Sequence, residues 1–550
     1  MNIFFDTEDN SPELLKSGKS GFGKAVTQIA ALTDTGEGFY EAGTACVKLF
    51  LRWVRTFDAE ETTLWAHNLQ YDLGNLFSKS LDGLDLTMVG GRLIRAQWGK
   101  YTFKDSFNLW PMRLADVGTA FGLEKGKLDI HSREYVMRDV EILAAAVGFV
   151  RDYCQSIGIE GIPSTLGGLT ISAWQAETGG ENWHDDSPLS RAAFYGGRVE
   201  LFRAGLQESV EHYDVNSLYP SAMLEGFPAD ARPIDTVESH GVLDCTIHVP
   251  RADWTPLPQR LADGRVVYAY GKQRGVWTTP ELRVAMREAG VRILKVHCGL
   301  GSPVTCRPYA DFIQHCYARR MAAKSDAERL FWKLLMNNLY GRLCVSGNIT
   351  RSVKLDRFNR DHGTPYGNKV LMDCAMPLPP TTNYMHAAYV TGLGRMLLHK
   401  YMRLVDPAAM IYCDTDSIIR LRTGQTLPIG KGIGELKLEG QYDAAVVYAP
   451  KCYRFGEKHK AKGVPRGMAK TFLETGRAEF DLPFRMRESI AFFDKLKAEG
   501  VTPDARELSV WRKVAKEFGA KYDRKRLTAD GRYVAHNIKE FQGGIAPPEY

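Results

Sequence analysis

Several ingredients are scarce in this chain, and each scarcity closes off a class of protein. Ten cysteines are spread over 550 residues without a single Cys-x-x-Cys pair. That argues against a zinc ribbon and against a disulfide scaffold, and leaves free thiols in a reducing compartment as the default. No run of about 18 apolar residues occurs, the length a membrane span needs. The opening Met1-Asn2-Ile3-Phe4-Phe5-Asp6 has no basic segment followed by an apolar one, so a secretory leader is not expected. No low-complexity tract or short internal repeat stands out, which excludes a solenoid and a largely disordered chain. Net charge is small as well, +6 over the whole chain. The expectation is a cytoplasmic, monomeric protein without membrane contact.

What is present is ordinary globular composition, 44% hydrophobic and 25% charged, in a chain too long for one core. At roughly 150 residues per domain, three or four structural units are expected. The charge is clustered. Between Lys451 and Lys470 stand seven basic residues, Lys451, Arg454, Lys458, Lys460, Lys462, Arg466 and Lys470, against the single acid Glu457. Such clustering suits a surface that grips a phosphate backbone, although charge runs also occur as solvated faces.

Acids form a first constellation near the start. Ile3-Phe4-Phe5 reads as a short buried strand, and the period of two puts Asp6 and Glu8 on one side of its end. An isolated Asp-x-Glu also fits a solvated strand end. Two further segments add acids: His67-Asn68-Leu69-Gln70-Tyr71-Asp72 after the apolar Leu64-Trp65-Ala66, and a helical pattern from Tyr135 through Asp139, Ile142 and Leu143. Asp6, Glu8, Asp72 and Asp139 together supply four carboxylates, the set that two Mg²⁺ or Mn²⁺ ions about 3.5–4 Å apart require. Tyr135 stands one helical turn before Asp139, so the phenol shares the carboxylate's face and could orient an attacking water.

In order and spacing these segments resemble the three exonuclease motifs of DnaQ-like proofreading domains, which implies an RNase H-like fold. Gly90-Gly91-Arg92-Leu93-Ile94 and Lys104-Asp105-Ser106-Phe107 are similar to family segments that hold a frayed primer end. By that resemblance Asn68, Tyr71, Ser106 and Phe107 are candidate ligands of single-stranded DNA; ordinary turn and core packing is the alternative.

A second constellation follows. Tyr213-Asp214-Val215-Asn216-Ser217-Leu218-Tyr219-Pro220 reads as a strand delivering Asp214 into a helix start. Its Asp-x-x-Ser-Leu-Tyr-Pro pattern resembles motif A of family B DNA polymerases, which implies Asp214 and the Val215 backbone as metal ligands and Tyr219 beneath the incoming sugar, excluding a 2′-hydroxyl. Lys333-Leu334-Leu335-Met336-Asn337-Asn338-Leu339-Tyr340-Gly341 is similar to motif B, with Asn338 in place of the usual serine. At 100° per residue Arg329, Lys333, Asn337 and Tyr340 form one polar stripe, and Phe331, Leu334, Leu335 and Leu339 the apolar face. The resemblance implies that this stripe binds a deoxynucleoside triphosphate. Tyr412-Cys413-Asp414-Thr415-Asp416-Ser417 resembles motif C, a β-hairpin with acids at its turn. A calcium loop starting at Asp414 would need Gly and Glu where Ile419 and Gln425 stand. The resemblance implies Asp416, paired with Asp214, as the second metal ligand and Asp414 as the supporting carboxylate.

Lys451-Cys452-Tyr453 resembles the Lys-x-Tyr motif of the family, which implies that Lys451 and Tyr453, with Lys460 and Lys462, hold primer-template DNA. Phe194-Tyr195-Gly196-Gly197-Arg198 is similar to the Tyr-x-Gly-Gly element, which implies that Phe194, Gly196 and Gly197 meet template backbone. Phenylalanine holds the tyrosine position, and Tyr195 is the candidate to supply the missing hydroxyl.

Between Pro220 and Lys333 lie 112 residues, and only the last few tens look like a fingers hairpin. The block from Pro228 carries strand patterns at Val242–Val249 and Arg265–Ala269 and a helix from Pro280. A second surplus near Cys344 to Pro380 reads as a β-hairpin turning at Asn359-Arg360-Asp361-His362-Gly363. Insertions at these two places resemble the terminal-protein regions of protein-primed DNA polymerases from small linear-genome bacteriophages, the tectivirus type in particular. The implied class is α+β and multidomain: an RNase H-like 3′-5′ exonuclease at 1–155, palm at 156–227, first insertion at 228–308, fingers at 309–343, second insertion at 344–380, palm again at 381–480 and a basic thumb at 481–550. The implied partners are template-primer DNA, dNTPs and a terminal protein, in a bacterial host's cytoplasm.

Overall fold

Short apolar segments split by turn residues build the first sheet. The computed structural model describes residues 1–9, 26–57, 62–77, 83–126, 129, 131–345, 347–356, 359–366, 368–483, 490, 499–500, 511–517, 526–527 and 532–540. Within them Asn2–Asp9 lies between Val26–Thr33, antiparallel, and Thr63–Ala66, parallel, and Thr63–Ala66 pairs in turn with Tyr101–Asp105. Alternation in Asn2–Asp9 buries Ile3 and Phe5 against Phe50 and Phe103. The helix Arg133–Ser156 starts at Ser132, whose hydroxyl accepts from the Tyr135 amide, a cap that satisfies one orphan N–H. Its apolar face covers the sheet side of Phe4, Ala30 and Trp65.

A seven-stranded antiparallel sheet forms the second unit, in the order Lys458–Ala461, Cys452–Phe455, Leu436–Ala449, Gly205–Val215, Ser417–Leu421, Met410–Asp414, Val199–Leu201. The long helix Tyr384–Met402, almost wholly buried, packs beside it and against the short helix Leu218–Met223. The helix pair Ala310–Ala322 and Asp326–Asn338 packs on Leu166–Thr178. Asp326–Asn338 exposes Arg329, Lys333 and Asn337 as the periodicity predicts; the buried side is Phe331, Trp332, Leu335 and Met336, with Leu334 only half-buried.

The first insertion is a sheet of its own, Arg232–Pro233, Arg292–Ser302, His240–Val249 and Gly271–Thr278, covered by the helix Thr279–Ala289. The strand expected at Arg265–Ala269 shrinks to Val266–Val267, because Asp263 and Gly264 turn the chain there: Arg265 N–H donates to Asp263, and Gly264 has a φ of 81°.

The second insertion is the expected hairpin, Asn348–Lys354 with Lys369–Ala375. It extends the first sheet: Asn348–Lys354 pairs with Asp85–Val89, Thr350 opposite Met88 and Arg351 opposite Thr87, giving ten strands in all. Lys369 completes the joint by donating to Leu84 O and Asp85.

Most of the basic region expected at 481–550, including Lys521 to Lys525, lies outside the described residues. Its described tail returns to the body: Tyr533 N–H donates to Phe202 O, and Ile538 N–H to Tyr270 O, with Ile538 packed on Leu261 and Ala269. Among the described residues no helix is long and apolar enough to cross a membrane.

Candidate active sites

The strand Asn2–Asp9 and the helix Arg133–Ser156 bring Asp6, Glu8 and Asp139 together, with carboxylate oxygens within 4.8 Å of one another. Asp72 comes from the helix Leu69–Leu76 and is fixed from below, accepting from the Thr7 amide at 3.1 Å and the Thr7 hydroxyl at 2.6 Å. Burial, followed by repulsion from Asp139, Asp72 and Glu8, holds the Asp6 carboxyl well above its ordinary range. Burial and Asp139 push Glu8 up to about 7. Asp6 Oδ2 and Asp139 Oδ1 are buried without a hydrogen-bond partner. Converging acids that repel one another and leave buried oxygens unsatisfied fit divalent cations.

Sequence reasoning missed one member of this cluster. Lys125 places Nζ 2.5 Å from Asp139 Oδ2 and 3.9 Å from the centre of the Tyr135 ring. Nothing in a lysine fourteen positions before Asp139 marks it; the chain entering the helix brings it back.

The candidate single-strand ligands divide. Asn68 is exposed and adopts a left-handed conformation, φ 68°, which asparagine tolerates better than most residues. Tyr71 and Phe107 are half-buried; the Phe107 ring lies under the Arg92 guanidinium. Ser106 differs from expectation: it is 1% exposed and its hydroxyl bonds His67 Nδ1 at 2.8 Å, so its role is to hold that imidazole. Beside it Asp105, also missed, accepts from the amides of Asn68 and Phe107, and burial raises it to about 6.

In the central sheet Asp214 lies directly opposite Ser417 across the strand pair, and Val215 N–H donates to Asp416 O at 2.8 Å. Two strands thus deliver Asp214 and Asp416 to one spot. Burial and then the charge of Asp416 push Asp214 up to about 7, with Glu439 adding to the repulsion; Lys437 and Lys333 pull the other way. Asp416 is raised too, by burial first. Lys437 and Glu439, unnoticed in the sequence, come from the third strand, where Lys437 faces Asp214 across the ladder. This acid pair likewise fits divalent cations.

Asp414 has a supporting position. It accepts from the Tyr412 hydroxyl at 3.1 Å, and Lys451 Nζ stands 3.5 Å away. Lys451 N–H donates to the same Tyr412 hydroxyl, so the basic segment is tied to the acidic turn. The rings of Tyr453 and Tyr412 are 6.0 Å apart, and Lys460 Nζ lies over Tyr453. Lys462 is exposed on the next loop. Tyr219 and Tyr340 meet with ring centres 4.5 Å apart.

The Gly-Gly element behaves differently at its two glycines. A Cβ on Gly196 would meet nothing within 4 Å; one on Gly197 would come within 2.8 Å of Thr415 and 2.9 Å of the Tyr219 hydroxyl. Gly196 therefore leaves open space, whereas Gly197 lets the segment lie against the acidic turn. Tyr195 cannot replace the absent tyrosine: it is 2% exposed, enclosed by the first insertion's core and beneath Arg260 and Arg395. Phe194 is half-buried beside Tyr384. Buried Arg395 fixes the segment by donating to Tyr195 O at 2.9 Å and Gly196 O at 2.8 Å, and pairs with Glu281 of the first insertion at 2.7 Å.

Residues 129–356 match the family described as DNA polymerase type B, organellar and viral. The DNA-directed DNA polymerase of Enterobacteria phage PRD1 is 24% identical over 461 residues, covering 76% of this chain and 78% of that protein. Both matches are to DNA polymerases, the first of them to type B. A probable DNA polymerase of Agaricus bitorquis is 23% identical over 356 residues, 53% of this chain and 44% of the relative. The chain thus spans under half of the fungal protein. Among solved structures, Phi29 DNA polymerase with primer-template DNA and incoming nucleotide superposes with a TM-score of 0.68 at 16% identity, covering 94% of this chain and 99% of the other. The same enzyme complexed with single-stranded DNA gives 0.61 at 18% identity, covering 84% and 89%. The fold of that polymerase is shared over most of this chain.

Proposed function

We propose that this type B polymerase extends DNA with deoxynucleotides at the Asp214–Asp416 site, edits the primer end from 3′ to 5′ at the Asp6–Glu8–Asp72–Asp139 site, and starts synthesis on the hydroxyl of a terminal protein. The observation that carries the reading is the delivery of Asp214 and Asp416 from adjacent strands to one point, flanked by Lys333 on the helix pair and Lys451 on the basic segment.

Two Mg²⁺ or Mn²⁺ ions per site, when bound, activate the attacking oxygen and stabilise the leaving one. Asp214, Asp416 and the Val215 backbone hold them in the first case, the four N-terminal acids in the second. Asp414 orients Lys451. Lys333, with Arg329 and Asn337 along the exposed stripe, meets the triphosphate, and Tyr219 packed on Tyr340 forms the floor that selects a deoxyribose. Tyr453, Lys460 and Lys462 hold the primer, Phe194 and Gly196 the template. In the editing site Tyr135 orients water, and Asn68, Tyr71 and Phe107 receive the unpaired end.

The two activities separate by substitution. Asp416→Ala abolishes primer extension and spares digestion of single strands, and Asp6→Ala does the reverse, each by at least about 10³-fold given that positioned charge supplies most phosphoryl-transfer catalysis. Normal extension by Asp416→Ala removes the assignment. Protein priming is tested with labelled dATP, Mg²⁺ and the candidate terminal protein: a nucleotidylated protein is expected, and its absence alongside good extension of annealed primers rules that step out.

A further inference from the structure

The helix Arg133–Ser156 connects two distant places. Near its start it carries Tyr135 and Asp139; eighteen residues later, about 27 Å along the axis, it carries Tyr153. There Tyr153 enters the helix pair that bears Lys333. Its ring centre is 4.9 Å from Phe331 and 5.4 Å from Trp332, both edge-on, and Trp332 immediately precedes Lys333. Phe149 and Trp110 extend the contact to Phe331 at 5.1 and 6.0 Å; Trp110 closes the segment that begins at Ser106.

Polar groups share this aromatic joint in an unusual state. Glu177, from the helix Leu166–Thr178, has a side chain 5% exposed, and His315 Nε2, from Ala310–Ala322, stands 3.4 Å from its Oε1. Tyr153 lies close enough to feel the Glu177 charge. Yet both Glu177 oxygens, His315 Nε2, the Tyr153 hydroxyl and the Trp332 indole nitrogen are buried without a hydrogen bond. One carboxylate and three groups able to donate, from four helices, converge here; His315 and Tyr153 stand against Glu177, and none of these contacts has the geometry of a closed hydrogen bond. Buried groups left in that condition are unfavourable. A small shift of the helix pair that closes these bonds is therefore favoured, the situation of a packed interface with two arrangements.

We propose that Glu177 is a positioning residue: with Tyr153, His315 and Trp332 it forms a joint through which the nucleotide-binding helix pair sets how readily the primer end is edited. This rests on the two activities proposed above. Movement of Lys333 upon nucleotide binding moves Trp332, and Trp332 bears on the helix whose first turns carry Tyr135 and Asp139 of the editing site.

The test uses the full chain and one labelled primer-template. The dNTP concentration at which extension balances degradation is measured, together with the rate of single-strand digestion and the melting midpoint. For Glu177→Gln and for Trp332→Phe the balance concentration shifts by roughly fivefold or more, the lower end of site-to-site coupling, while the other two readouts hold. The double variant shifts no further than the larger single, since both remove one joint. Tyr153→Phe, which removes only a hydroxyl, gives the same shift if Glu177→Gln does not fold. An unchanged balance in folded Glu177→Gln or Tyr153→Phe overturns the proposal, as does a shift matched by equal loss of single-strand digestion, or strict additivity. A parent protein that neither extends nor digests refutes the proposed function itself, a distinguishable result.

Discussion

Lys125 Nζ lies 2.5 Å from Asp139 Oδ2, so a side-chain cation stands among the carboxylates of Asp6, Glu8 and Asp139. Removing it leaves the acids facing one another with less compensation. Lys125→Met is expected to destabilise the metal-free protein by about 1.5–3 kcal/mol, the contribution of a hydrogen bond to a charged group, and so to lower its melting midpoint. Mn²⁺ should restore more of the midpoint than it does in the parent. Calorimetry with and without Mn²⁺ checks this; an unchanged midpoint without metal contradicts it.

The raised acids set a direction for pH. Glu8 is held at about 7 and Asp6 is held high, so between the ordinary carboxylate range and about 7 the folded state binds more protons than the unfolded. Their contribution to stability is full below that range and is lost as pH rises toward 7. Metal-free protein carrying Asp6→Asn and Glu8→Gln should therefore lose less stability than the parent between pH 5 and 8. Mg²⁺ should raise the parent's midpoint more at pH 8 than at pH 5. Melting curves across that window give the answer, and a larger metal effect at pH 5 would falsify the assignment.

The two glycines beside the acidic turn should respond unequally. Gly197→Ala pushes a methyl into Thr415 and the Tyr219 hydroxyl, and a displacement near 1 Å at the turn proposed to hold the catalytic acids costs about 10²-fold. Extension falls while single-strand digestion persists. Gly196→Ala meets no neighbour, so its effect appears in template affinity. Steady-state kinetics of both variants, with DNA binding measured separately, distinguish them.

Glu281 and Arg395 form an ion pair in which both side chains are at most 1% exposed. Removing one partner of such a pair costs about 3–5 kcal/mol. Glu281→Gln is expected to lower the melting midpoint and to weaken extension more than single-strand digestion, because Arg395 also holds Tyr195 and Gly196. Equal losses of the two activities would show a general destabilisation only.

Local pattern carried much of the architecture. Period two placed Asp6 and Glu8 on one side of a strand, and period 3.6 exposed Arg329, Lys333 and Asn337, because a regular backbone fixes side-chain direction within a few residues. Tyr195 was misread because nothing local says which side of its segment faces the first insertion's core. Ser106 looked available for the same reason, until His67, from the bend that follows the strand Thr63–Ala66, took its hydroxyl.

By itself the sequence determined the motif acids and the basic stretch, properties of neighbours within some twenty residues, and the order and spacing of the motifs, from which the two surplus segments follow. Only the tertiary structure decided that Lys125 enters the acid cluster, that the second insertion adds to the first sheet at Asp85–Val89, and that Glu281 grips Arg395 from 114 residues away. Those pairings depend on which buried donors and charges remain unmatched once all elements have packed, a condition of the whole fold.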